Sequence, residues 1–142
     1  MDSPARRFSA RQAEFDSIAQ FIDSECASLV QDERLRIILL VEELFANSVN
    51  HGYGGDSDKP VWVSVSVGQD TSRVIYEDCG QAYDPFAAVD ASSTEAELEE
   101  RRVGGQGIVL LKELSSGRTY ERRGDRNVVQ LDVPRATPDP AD

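Results

Sequence analysis

Positive charge is scarce in this sequence of 142 residues: 15 Lys and Arg stand against 26 Asp and Glu, for a net charge of -11. A surface that follows a phosphate backbone needs clustered Lys and Arg, so DNA and RNA are not expected partners. Cysteine is scarce too, and Cys26 and Cys79 do not make the disulfide framework that staples small secreted domains. Long apolar runs are missing. The longest, Ile37 to Val41, is far below the roughly 20 residues of a membrane-spanning helix. The first residues, Met1 to Arg7, lead into polar residues instead of the apolar stretch of a secretory signal. A chain of this length buries roughly two thirds of its unfolded surface around one core. One cytoplasmic domain, with no membrane contact, is therefore expected.

What is present follows a clear order. Between Ser9 and Val30, apolar residues recur at Phe15, Ile18, Ile22, Cys26 and Leu29, the spacing of an amphipathic helix, with Ser9 as its expected N-cap. After Asp32 the period resumes through Leu35, Ile38, Leu39, Phe45 and Val49, and Gly52 and Gly54 stop it. Pro60 to Val67 alternates strictly, and Arg73 to Glu77 follows the turn-like Gly68-Gln69-Asp70-Thr71, so two antiparallel strands are predicted. Residues 79–103 hold no sustained period, which in a compact domain points to a lid or mobile loop. A short third helix is predicted from Gly107 to Leu114, ended by Gly117. Arg118–Arg123 and Val128–Val133 are predicted strands around a turn at Gly124-Asp125-Arg126-Asn127, and 134–142 reads as a disordered tail. This order implies an α+β two-layer sandwich, a mostly antiparallel (mixed) sheet with helices on one face.

Three segments carry chemistry. In Glu42 to Tyr53, residues Glu43, Asn47 and His51 are spaced by four and share one helix stripe. A carboxylate there can take a proton from an attacking hydroxyl, and an Asn oxygen one turn on suits Mg²⁺. The same pair also describes an ordinary solvent-facing stripe, so the spacing alone decides nothing. The second segment, Asp78-Cys79-Gly80-Gln81-Ala82-Tyr83, follows a strand. Asp78 could accept a hydrogen bond from an exocyclic amine such as that of adenine, with Gly80 admitting a flat ring, yet Asp and Gly are equally expected in a plain strand-to-loop turn. The third, Gly104-Gly105-Gln106-Gly107 leading into Ile108, offers backbone N–H groups at a helix start, a natural phosphate site or else a hinge. It is not a Walker A loop, because no Gly-Lys-Ser/Thr follows. Arg101 and Arg102 are better read as part of the solvated charge run from Glu95 than as phosphate contacts.

In this order the three segments resemble the ATP-binding domain shared by gyrase, histidine kinases and MutL, the GHKL or Bergerat fold, over residues 5–133. Glu43 to Tyr53 looks like its N box, Asp78 to Phe86 its first glycine box and Gly104 to Leu111 its second. The run Glu-x-x-x-Asn-x-x-x-His-Gly-Tyr is most similar to the bacterial anti-sigma-factor serine/threonine kinases. The resemblance implies ATP and Mg²⁺ as ligands, Glu43 as general base, and Asn47 as a nucleotide and metal ligand. By the same resemblance Asp78 would take the adenine amine, Gly80 would flank the base, Gly105, Gln106 and Gly107 would bind the phosphates, and 87–103 would form a lid. His51 would cap or pack beside the site, or be an ordinary helix-end residue. The implied activity is phosphorylation of a Ser or Thr on an anti-anti-sigma partner of the STAS type, with a sigma factor held in an alternative complex and homodimerisation expected. The alternative is a non-catalytic, nucleotide-dependent module that sequesters a regulatory partner. Two departures from the family pattern stand out: Ala82 replaces the second glycine of the first box, and Gly124-Asp125-Arg126-Asn127 replaces the Gly-Thr pair before the last strand.

Overall fold

The computed structural model describes residues 4–87 and 113–135. The first element is a strand that the periodicity does not reveal, β1 (Arg6–Ser9). Ser9 therefore does not cap a helix. It pairs with Pro60, and the Ala10 N–H continues the ladder to the Lys59 carbonyl at 2.9 Å. A short 3₁₀ turn at Gln12–Glu14 then leads into α1 (Phe15–Glu25), whose Ile18 and Ile22 are fully buried. α2 (Gln31–Asn47) starts with Asp32 and Glu33 in its first turn, where carboxylates suit the positive end of the helix dipole. Its apolar stripe of Ile37, Leu40, Val41, Leu44 and Phe45 is buried.

The helix was expected to run to Gly52, but the α form ends at Asn47. Ser48–Gly52 is a π turn, closed by the Tyr53 N–H on the Ser48 carbonyl at 2.8 Å, five residues back. Such turns are rare and recur at functional sites.

β2 (Pro60–Val67) forms where the alternation is strictest, and Val61, Val63 and Val65 are at most 1% exposed. β3 (Thr71–Asp78) returns antiparallel, with Asp78 opposite Val61. β4 (Gly117–Arg123) and β5 (Arg126–Pro134) make the second hairpin. Its turn is only Gly124-Asp125, with Gly124 at φ +63°, the left-handed conformation that a two-residue hairpin demands. Arg126 and Asn127, expected in the turn, already pair with Arg123 and Arg122. Gly117 opens β4 instead of ending a helix; of the predicted third helix, only Glu113 and Leu114 are described, and they are helical. Pro134 pairs with Thr71, so β5 reaches the first residue of the expected tail, while 136–142 lie outside the described residues.

The sheet order is β1-β2-β3-β5-β4, and every pairing among the described residues is antiparallel. One face carries Phe8, Val61, Val63, Val65, Val74, Tyr76, Val129, Leu131 and Val133 into a single core with α1 and α2. The opposite face is held by charge. The Arg126 guanidinium sits 3.7 Å from the Trp62 ring centre and 3.5 Å from the Glu77 carboxylate, and Arg73 pairs with Asp132 at 3.2 Å. The expected two-layer α+β sandwich with helices on one face is thus the fold observed.

Candidate functional site

The inward phase of β3 is Val74, Tyr76 and Asp78, so strand geometry alone puts a carboxylate where an apolar residue would be expected. Asp78 is only 8% exposed, and its burial is compensated by donors. Oδ1 accepts from the Gly80 N–H at 3.1 Å and from Asn127 Nδ2 at 2.8 Å, and Oδ2 accepts from the Ser48 hydroxyl at 2.5 Å. Ser48 Oγ also lies 2.7 Å from Tyr76 Oη. Burial holds the Tyr76 phenol well above its usual pKa, so it stays protonated and donates to Ser48, which in turn donates to Asp78. A carboxylate offers about four lone-pair sites. Three are occupied here, leaving one open acceptor position, on Oδ2.

α2 and its π turn supply the other wall. A pocket open to solvent, about 370 Å³ including its mouth, is lined by Asp78 and Tyr76 of β3, Leu44 and Asn47 of α2, Tyr83 and Val129. Its walls are mostly apolar, with a few convergent polar groups, the usual make-up of a small-molecule site. Asn47 Nδ2 is buried without a hydrogen-bond partner. An unpaired amide costs stability unless something else satisfies it.

Of the helix stripe read from the sequence, Asn47 alone reaches this pocket. Glu43 is half-buried one turn earlier and does not line it. Burial, with a smaller contribution from Glu42, raises the Glu43 pKa above 4.5. The folded state therefore holds this proton more tightly than the unfolded chain, and ionisation of Glu43 opposes folding as the pH rises from 4.5 through the raised value. Glu43→Gln is accordingly expected to melt higher than the parent at pH 7, with the difference vanishing below pH 4.5. Paired thermal melts at pH 7 and pH 4 check this, and an equal difference at both would contradict it. His51 is exposed, and its ring stacks on Tyr83 with centres 6.4 Å apart.

The first glycine box is shaped by contacts within the protein. A Cβ on Gly80 would stand 2.8 Å from Gly52 Cα and 3.1 Å from the Gly52 carbonyl, so this glycine lets the loop cross the π turn. Gly80→Ala is expected to cost about 1–3 kcal/mol, because the obstruction is backbone and cannot rotate away. A denaturant midpoint equal to the parent's would refute that. Tyr53, its pKa pushed up to about 12 chiefly by burial, ties the same loop down. It accepts from the Cys79 N–H and donates to the Pro60 carbonyl, both at 2.6 Å. The Gly80 carbonyl accepts from Arg122 at 2.7 Å. Ala82 in place of a glycine needs no unusual backbone, since no non-glycine among the described residues has a positive φ.

Sequence reasoning missed Ser48, Tyr76 and Asn127. Asn127 occupies the inward phase of β5 with Val129, Leu131 and Val133, and is 7% exposed. A polar residue in step with an apolar alternation was the available signal. It was hidden because Asn127 read as part of a turn. Gly105, Gln106 and Gly107, expected at the phosphates, lie outside the described residues, as do Arg101, Arg102 and the lid beyond Ala87. Among the described residues no cluster of three His, Cys, Asp or Glu side chains could hold a metal, so a cation here would rely on Asn47 together with ligand oxygens. No helix among them is long and apolar enough to cross a membrane.

Comparison with known proteins adds the following. The family model described as "Histidine kinase-like ATPase domain" matches residues 8–133. Among solved structures, the histidine kinase domain of the Erythrobacter litoralis EL346 blue-light activated histidine kinase is similar at 20% identity, over 86% of this chain and 59% of that one, with a TM-score of 0.49. This chain thus spans less than two thirds of that kinase domain's length. The Acinetobacter baumannii histidine kinase AdeS is similar at 12% identity, over 96% of this chain and 70% of that one, with a TM-score of 0.48. A search of curated proteins returned no match.

Proposed function

The chain belongs to the histidine kinase-like ATPase domain family, and from that premise we propose that it is an ATP-dependent protein serine/threonine kinase of the anti-sigma-factor type. The observation that carries the nucleotide reading is the meeting of Asp78 and Asn47 in the lining of one pocket, the first with a single open acceptor position. The adenine amine fills the Asp78 position, and the apolar walls take the faces of the ring. Asn47 Oδ1 suits Mg²⁺, which, when bound, neutralises phosphate charge. Gly105, Gln106 and Gly107 keep the phosphate-binding role of the family motif.

Transfer breaks the bond between the γ-phosphorus and its bridging oxygen, and ADP leaves. A new bond forms from the γ-phosphorus to the Ser or Thr oxygen of the partner, whose proton passes to Glu43. Catalysis then rests on positioning and charge neutralisation more than on covalent chemistry by the protein. The partner is an STAS-type anti-anti-sigma protein, with a sigma factor in the alternative complex. A non-catalytic, nucleotide-dependent interaction module is the second reading, favoured by the position of Glu43 outside the pocket wall.

Calorimetric titration with Mg²⁺ and ATP, followed by incubation of captured partners with γ-labelled ATP, tests both readings. Binding with label on a partner Ser or Thr supports the kinase. Binding without transfer supports the module, and no binding removes both.

A further inference from the structure

Asn127 makes five hydrogen-bond contacts that tie β4 and the loop after β3 to the Asp78 carboxylate. Its Nδ2 donates to Asp78 Oδ1 at 2.8 Å, to the Gln81 carbonyl at 2.9 Å and to the Gly80 carbonyl at 3.3 Å. Its Oδ1 accepts from the Tyr120 hydroxyl at 2.5 Å and the Tyr83 N–H at 3.2 Å. Two donors on one side and three acceptors on the other fix the amide in one orientation. Flipped, its NH₂ would face the Tyr83 N–H and its oxygen the Asp78 carboxylate and two backbone carbonyls.

We propose that Asn127, aided by Ser48, is a specificity-determining positioning residue that makes the pocket accept 6-aminopurine and reject 6-oxopurine nucleotides, by using up the acceptor capacity of Asp78. This inference rests on the nucleotide reading above. Both sites of Oδ1 are taken, by Asn127 and the Gly80 N–H, and one site of Oδ2 is taken by Ser48. The Ser48 proton cannot be diverted, because Tyr76 stays protonated and supplies the other contact of Oγ.

A carboxylate with both oxygens free binds guanine through two neighbouring donors, N1–H and the 2-amine. This one offers a single position. Guanine would leave one donor unpaired and set its O6 towards a carboxylate, whereas adenine needs only one amine hydrogen accepted. A buried unsatisfied donor or acceptor weakens binding by roughly ten- to a hundredfold.

The test is the ratio of ATP to GTP affinity, measured by calorimetry with Mg²⁺ for the parent, Asn127→Leu and Ser48→Ala. Leu keeps the branching of Asn but is larger and cannot donate, so it frees a site on Oδ1; Ala frees one on Oδ2. The parent is expected to favour ATP by at least tenfold, with the ratio falling about tenfold in each variant. A purely structural role would lower both affinities together and leave the ratio unchanged. Should Asn127→Leu fail to fold because its loop contacts are lost, Ser48→Ala leaves those contacts in place and carries the test. If the parent binds ATP and neither folded variant changes the ratio, the proposal is overturned and the nucleotide reading stands. If the parent binds neither nucleotide, that reading falls and the proposal with it.

Discussion

Asp78→Asn is expected to weaken ATP binding by about 30- to 100-fold while the domain still folds, corresponding to about 2–3 kcal/mol. The side chain keeps its shape, so its remaining carbonyl oxygen can still accept from Asn127 Nδ2 and the Gly80 N–H. The change falls on the other atom. Where Oδ2 accepts from Ser48 and holds one position open to the pocket, an NH₂ group now points at Ser48 and at the incoming amine. At the incoming amine donor meets donor, and Ser48 must turn its hydroxyl to accept from the new NH₂. The charge-assisted hydrogen bond to the ligand, roughly twice as strong as a neutral one, is lost outright. Far-ultraviolet circular dichroism would confirm the fold, and calorimetry would measure the loss. A variant that binds ATP within threefold of the parent would remove Asp78 from the base-recognition role.

Glu43→Ala is expected to separate the two halves of the proposed activity. ATP binding should stay within about threefold, because Glu43 does not line the pocket, while phosphoryl transfer should fall by ~10²–10⁴-fold, the usual contribution of a general base. The raised pKa sharpens the test. A half-buried carboxylate that holds its proton more tightly is a better base while ionised. It is lost as a base when the pH falls through its raised pKa. Transfer by the parent should therefore decline on acidification, and the residual rate of Glu43→Ala should not follow that step. Transfer by Glu43→Ala at the parental rate would show that the hydroxyl is deprotonated by another group.

The parts of the fold legible in the sequence are those where one period dominates. β2 was readable to its end residues because Pro60 to Val67 places a valine at every second position and the register buries Val61, Val63 and Val65. The apolar stripe of α2 was equally plain. β1 was not readable, because a four-residue strand with two arginines and one inward Phe8 carries too little pattern to register. The π turn escaped for a different reason: a period of about four and a half residues cannot be told from 3.6 over five positions. At the site, Asp78 and Asn47 were legible as polar residues at motif spacing, and they meet in one pocket. The supporting layer was not. Ser48, Tyr76 and Asn127 matter through contacts made across α2, β3 and β5, which only the folded chain brings together. The role of Gly80 also had to be seen in place, since its missing side chain makes room for the Gly52 backbone.

The central claim is that an adenine nucleotide occupies the pocket between the end of α2 and the end of β3. Two-dimensional amide NMR of the full chain, titrated with Mg²⁺ and a non-hydrolysable ATP analogue, tests it most directly. The account predicts saturable shifts that are largest at Asn47, Ser48, Gly52, the segment 78–81 and Asn127, and that are lost in Asp78→Asn. Saturable shifts centred instead on Trp62 and Arg126 of the opposite sheet face, or no shifts at saturating analogue, would contradict it.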